Sequence, residues 1–255
     1  MKTGRWLIPI AILLAGFVAW EIAVRVNQTP LWMLPPPSAI ADSFRDDRQL
    51  LLDNGLVTLL EVVLGFVSAL VLGIATGVAI AQSRLLERAI YPIIIASQTI
   101  PMVALAPLLL IWYGYGLLPK VIVTTLVCFF PIAVSTVDGL RSTDREVLAL
   151  LRTYGAGPWR RFWLAQAPSA LPSLFSGIRV AITFSVIGAV FGELVGASEG
   201  LGYLMQRAAA QFETARVFAA LFVLSAMGIG LFALATVIER IALPWRSHVL
   251  EDRDD

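Results

Sequence analysis

Residues 217–238 read VFAALFVLSAMGIGLFALATVI, twenty-two positions with no charge between Arg216 and Glu239. A helix crosses a bilayer core with about 20 mostly apolar residues, so this stretch suffices for one membrane span. Five further stretches meet the same requirement: Trp6–Val24, Leu56–Ala81, Ala89–Trp112, Val121–Val137 and Ala170–Val195. The last of these carries Arg179 and Glu193 inside it, and Ala89–Trp112 carries Pro92, Pro101 and Pro107. Proline breaks survive in a membrane only where protein or a water-filled cavity re-satisfies the freed backbone groups, so the third span is expected to be kinked and to face other helices.

Composition agrees. Of 255 residues, 58% are hydrophobic and only 15% charged, and mean hydropathy is +0.81. Soluble domains run nearer 45–50% apolar and about 25% charged. The fold class is therefore all-α, a polytopic membrane protein of about six transmembrane helices. A net charge of +1 offers nothing to nucleic acid. The single cysteine, Cys128, sits in an apolar run and is expected to pack there; the single histidine, His248, lies in the charged tail. Disulfides, thiolate metal sites and histidine-based triads are excluded as the chemistry of this chain, and no cofactor is expected. The start, Met1-Lys2-Thr3-Gly4-Arg5 followed by an apolar run from Trp6 to Trp20, lacks a small-residue cleavage site and reads as a retained first span.

Leaving aside Arg179, twelve Lys and Arg fall on the two termini and the 84–88 and 141–161 segments, and six on the segments between. Positive residues stay inside, so the termini and the 141–169 connection are expected in the cytoplasm. Trp112 with Tyr113, and Trp245, suit interfacial anchors. In the outer segment, Leu34-Pro35-Pro36-Pro37 leads to Ser38 as the expected cap of a short surface helix, Ala39–Phe44. Gly200-Leu201-Gly202-Tyr203-Leu204 reads as a turn into a short helix, an outer gate or binding-protein contact on one reading and a plain hairpin on the other.

The 141–169 connection is too long and too patterned for a simple loop. Val147, Leu148, Leu151 and Tyr154 share a helix face from Asp144 to Tyr154, Gly155 follows as a C-terminal cap, and Pro158 opens a second helix with Trp159, Phe162 and Trp163 beside Arg160 and Arg161. Pro168 and Pro172 are expected to end it and to begin the next span. An apolar helix face on such a connection is a docking surface.

Gly155 and Pro168 stand at the spacing of the cytoplasmic EAA loop of binding-protein-dependent ABC importer permeases, with Ala149-Leu150-Leu151 on the first triplet. Glu146 lies three positions before that triplet, which lacks its own glutamate. Ser97-Gln98-Thr99-Ile100-Pro101, Ala104-Leu105-Ala106-Pro107, Gly177-Ile178-Arg179, Gly192-Glu193 and Glu239-Arg240 keep the order of the nitrate/sulfonate/taurine group, and Phe218-Ala219-Ala220 resembles its thiamine-pyrimidine-precursor and riboflavin members. The resemblance covers nearly the whole chain. It implies a type I importer permease fold in one transmembrane domain, residues 1–255, in a bacterial inner membrane with both termini cytoplasmic. It also implies two cytoplasmic ATPase subunits, an external solute-binding protein, a second copy of the permease and a small organic solute. The chain has no Gly-x-x-x-x-Gly-Lys-Ser/Thr phosphate loop, so it is not itself an enzyme and ATP hydrolysis falls to a partner. The residues implied for ATPase coupling are Leu148, Ala149, Leu150, Leu151, Arg152, Tyr154, Gly155 and Pro168; those for a gate or translocation path are Gln98, Pro101 and Glu193.

Glu193, near one end of its span, is either a gate or subunit-contact residue or a carboxylate reaching interfacial water. Arg179, 14 positions earlier, is expected to snorkel to the inner interface, and Glu61 to sit at the outer start of the second span. Gly73-x-x-x-Gly77 is a close-packing pattern. The competing function is an ion-coupled secondary transporter with Glu193 at its coupling site; an intramembrane enzyme lacks a nucleophile–base pair.

Overall fold

In a computed structural model describing residues 4–244, with side chains from Ile8 onward, the described residues are helical with no strand. Lys2, Trp245, Arg246, His248 and Arg253 lie outside the described residues. The helices are α1 (Gly4–Val26), α2 (Pro37–Asp46), α3 (Arg48–Gln82), α4 (Arg84–Ser97), α5 (Met102–Tyr113), α6 (Leu117–Arg141), α7 (Arg145–Thr153), α8 (Pro158–Arg161), α9 (Ala167–Glu193), α10 (Leu201–Ala210) and α11 (Thr214–Ala242). Among them, five continuous stretches are long and apolar enough to span: Ile8–Val26, Arg48–Gln82, Leu117–Arg141, Pro158–Glu193 and Thr214–Ala242. The sixth expected span is α4 and α5, which meet at a bend of 100°. Pro101 lacks an N–H and bars the helical conformation at Ile100, so the ladder stops at Gln98 and restarts after Pro101.

Two compact units make up the chain. The first holds the residues up to Val57 with Ser198–Ser225. Here α1 lays Phe17 and Trp20 on Phe222 and Phe218 of α11, with ring centroids 6.1 and 5.6 Å apart. Ser38 does not cap its own helix. α2 begins two residues before the expected Ala39, at Pro37, and Glu21 of α1 accepts from Ser38 N–H at 3.0 Å and from its hydroxyl at 2.9 Å. Arg216 grips both carboxylate oxygens of Asp47 at 2.8 Å.

The second unit holds Thr58–Ala197 and the residues from Ala226 on, and α6 is its axis. On one side, a Cβ built on Gly73 or Gly77 of α3 would meet Ile132 at 2.8 Å or Thr136 at 2.6 Å, and Gly65 backs on Thr124. The offset is 59 positions each time, so α3 and α6 run parallel. On the other side, a Cβ built on Gly192 or Gly188 of α9 would meet the Cα of Lys120 at 3.0 Å or that of Thr124 at 2.9 Å, an antiparallel match. Small residues let helix backbones approach where lipid gives no hydrophobic drive. Cys128, fully buried among Ala69, Ile132 and Ala181, packs as expected.

Parallel neighbours have a topological consequence. Gln82 lies 21 residues past the level where Lys120 meets α3, about 31 Å along a helix, so the chain between them returns the length of the pair. α4 and α5 together therefore return the chain along the pair, and counted as one bent passage they bring the spans among the described residues to six.

The second helix of the 141–169 connection does not end at Pro168. α8 runs through a π-helical turn, Phe162–Gln166, into α9 as one stretch. Proline cannot donate to the carbonyl one turn back. The widened turn, with Ala167 N–H on Phe162 O, absorbs that defect without a stop.

Candidate functional site

Two features carry chemistry that a bilayer span does not need. The first is the elbow of α7 and α8. Asp144 caps α7, its Oδ1 accepting from Glu146 N–H at 2.8 Å. At the other end Gly155 takes φ +75°, the left-handed conformation that glycine enters without penalty. Its N–H donates to Arg152 O and that of Ala156 to Leu151 O, both at 2.9 Å, closing the last turn. α7 buries no side chain. Val147, Leu150 and Tyr154, at i, i+3 and i+7, form an outward apolar stripe, with Leu150 and Tyr154 56% and 82% exposed. Leu148 and Leu151 are half-buried, and Ala149 and Arg152 are exposed, so the exposed face is rotated from the one that periodicity alone indicates. Beyond Gly155, Trp159, Phe162 and Trp163 form a ring cluster with centroids 5.2 to 6.1 Å apart. Pro168 is half-buried inside the continuous helix.

The second feature is a charge cluster inside the second unit. Lys120 Nζ donates to Glu61 Oε1 at 2.6 Å, and Thr58 Oγ1 donates to Glu193 Oε1 at 2.6 Å. Glu61 and Glu193 also stand within electrostatic reach of each other. Glu61, Glu193 and Thr58 are 0% exposed and Lys120 8%. The structure gives four charged residues surroundings that the sequence does not show. Glu193 does not reach interfacial water. Glu61 lies thirteen residues inside α3, paired with Lys120. Lys120 belongs to no loop: Gly116 caps α6, and Lys120 is its fourth residue. Arg179 faces Glu239 of α11 at 3.3 Å, a partner that the sequence does not indicate.

Gln98 and Pro101 flank the bend between α4 and α5, both exposed, and no contact joins them to Glu193 among the described interactions. The cluster that sequence reasoning missed is Glu61–Lys120. Its only linear sign is two charges in or beside apolar runs, and their distance of 59 positions means nothing until the parallel register is known. Among the described residues no group of His, Cys, Asp or Glu is arranged to hold a metal ion.

Comparison with known proteins fits this geometry. The family described as "Binding-protein-dependent transport system inner membrane component" matches residues 69–242. The formylaminopyrimidine transport permease protein ThiX of Halalkalibacterium halodurans is 42% identical over 239 residues, 93% of this chain and 95% of that protein. The riboflavin transport system permease protein RibX of Chloroflexus aurantiacus is 37% identical, over 94% and 90%. The taurine transport system permease protein TauC of Escherichia coli is 28% identical, over 94% and 89%. An inward-facing structure of the MetNI methionine ABC transporter shares the fold, with TM-score 0.69 at 20% identity, over 77% of this chain and 97% of that one.

Proposed function

Because the chain belongs to the family of binding-protein-dependent transport system inner membrane components, and is the membrane-spanning permease subunit of an ABC importer, we propose that two copies line one solute path and two separate ATPase subunits dock on their α7 elbows. ATP is hydrolysed on those partners. The observation that carries this reading is the outward stripe of Val147, Leu150 and Tyr154, closed off by Gly155. A stripe with no covering side chain, on a capped and therefore stiff helix, transmits a push from a soluble partner to the spans. The π turn joins α8 to α9 without a break, so movement of the elbow is passed along α9 rather than lost in a loop.

Six passages put both termini on one side, and the excess of cations on the elbow side supports the cytoplasm for both. Leu148, Ala149, Leu151, Arg152 and Pro168 support the docked helix from behind and beside the stripe. Gln98 and Pro101 flank a bend that can change its angle as the path opens. The residues together act as one permease domain. For the solute we favour a small nitrogen heterocycle of the aminopyrimidine or flavin kind, since ThiX and RibX exceed TauC in identity. An external binding protein selects it.

The test is a photo-crosslinker placed at Leu150 in native membranes. An adduct with a protein bearing a phosphate loop supports the reading. Adducts with lipid alone contradict it.

A further inference from the structure

We propose that Lys120 is a positioning residue that welds α3, α6 and α9 into one rigid block of the transport cycle, so that the path opens by movement of the other helices against that block. The inference rests on the importer reading above.

Local chemistry opposes every charge in the cluster. Lys120 is the fourth residue of α6, at the end where the helix dipole favours anions, and Glu193 is the last residue of α9, where it favours cations. Glu193 is also fully buried, and Lys120 is only 8% exposed. A buried ion pair gains little net stability over apolar residues of similar size, and its best-attested use is to fix register. Register is what this pair marks. Lys120–Glu61 has the same 59-position offset as Thr124–Gly65, Ile132–Gly73 and Thr136–Gly77. On the far side, Gly192 backs on Lys120 itself, and the next residue, Glu193, takes its hydrogen bond from Thr58 of α3. Three helices thus meet within two turns of α6. A slide of one turn, about 5.4 Å, would strand the charges and drive Thr124 and Thr136 out of their glycine notches at the same moment. Steric ladder and charges specify one arrangement, and neither tolerates an intermediate.

The test uses the assembled importer with its ATPase and binding protein in proteoliposomes. The triple variant Glu61→Gln/Lys120→Met/Glu193→Gln removes all three charges of the cluster, so that no buried ion is left without its counter-charge. It is expected to insert, to retain the ATPase and to hydrolyse ATP, while solute moved per ATP falls about tenfold. Coupled uptake within twofold of the parent overturns the proposal. Should the variant fail to assemble, spin labels at exposed Leu64 of α3 and Val180 of α9 in the otherwise unchanged chain decide. Their separation is expected to be the same in the nucleotide-free and ATP-bound states. A change approaching one helical turn overturns the proposal. Loss of the ATPase from the parent assembly would instead count against the importer reading itself.

Discussion

Arg179 of α9 and Glu239 of α11 face each other at 3.3 Å, the arginine side chain 29% exposed and the glutamate 9%. Sixty positions of chain separate them, and the pair ties the fifth passage to the sixth. It sits between the surface case, worth about 0–1 kcal/mol, and the buried case, where removing one partner costs about 3–5 kcal/mol. Glu239→Gln is expected to cost about 1–3 kcal/mol, read as a lowered thermal midpoint in detergent. The exchange Arg179→Glu/Glu239→Arg is expected to recover most of it. An unchanged midpoint in Glu239→Gln would show that the pair holds nothing together.

Gly77 tests the close contact of α3 and α6. A Cβ there meets Thr136 Cβ at 2.6 Å and the backbone oxygen of Ala133 at 2.9 Å, and the backbone atom cannot rotate aside. Gly77→Val is expected to destabilise by about 1–3 kcal/mol, as overpacking does. Gly16, with nothing within 4 Å of its Cβ position, is the control: Gly16→Ala is expected to leave stability unchanged or slightly raised.

At Gly155 the space around a Cβ is open, so only the left-handed backbone resists substitution. Gly155→Ala is expected to cost about 1–2 kcal/mol locally, to weaken uptake and to leave insertion intact. Gly155→Pro, which cannot adopt φ +75°, is expected to abolish uptake. Equal uptake by both variants and the parent would mean that the elbow needs no fixed angle.

Asp47 supplies a pH dependence. Hydrogen bonds from Arg216 hold its carboxyl below the usual carboxylate range, helped by Ser43 and opposed by partial burial. A lowered native value contributes stability above the unfolded aspartate value of about 3.9, and that stability is lost as pH falls through the native value below it. Thermal midpoints in detergent should therefore fall on acidification below about pH 4, and Asp47→Asn should lose about 1–2 kcal/mol at neutral pH with a flatter acid limb. An acid limb of the same slope in Asp47→Asn would remove Asp47 from the account.

Spans, the two ends of α7 and the glycine notches are legible in the sequence because each depends on near neighbours, whereas Ser38, read as a cap, is taken by Glu21 of a distant helix. Apolar length announces α3, α6, α9 and α11. Asp144 and Gly155 mark both ends of α7, and Gly73-x-x-x-Gly77 announces close packing. What stays hidden depends on distant neighbours or on small backbone adjustments. Glu61 reads as a charge near a span end until α6 brings Lys120 beside it. Arg179 reads as a snorkelling cation until α11 supplies Glu239. Pro101 announces a break, but the 100° turn depends on what the two halves pack against. Pro168 reads as a stop because proline breaks an α-helical ladder, and nothing in the side chains before it signals the π turn that carries the helix through.

The central claim is that this permease moves solute only with a nucleotide-hydrolysing partner seated on α7. Gentle-detergent purification of the tagged chain from its native membrane, followed by reconstitution and an assay of solute uptake with and without ATP, tests it most directly. The account predicts a co-purifying ATPase in equal amount and uptake that requires ATP and the binding protein. Uptake by the chain alone, driven by an ion gradient with no ATPase present, would contradict it.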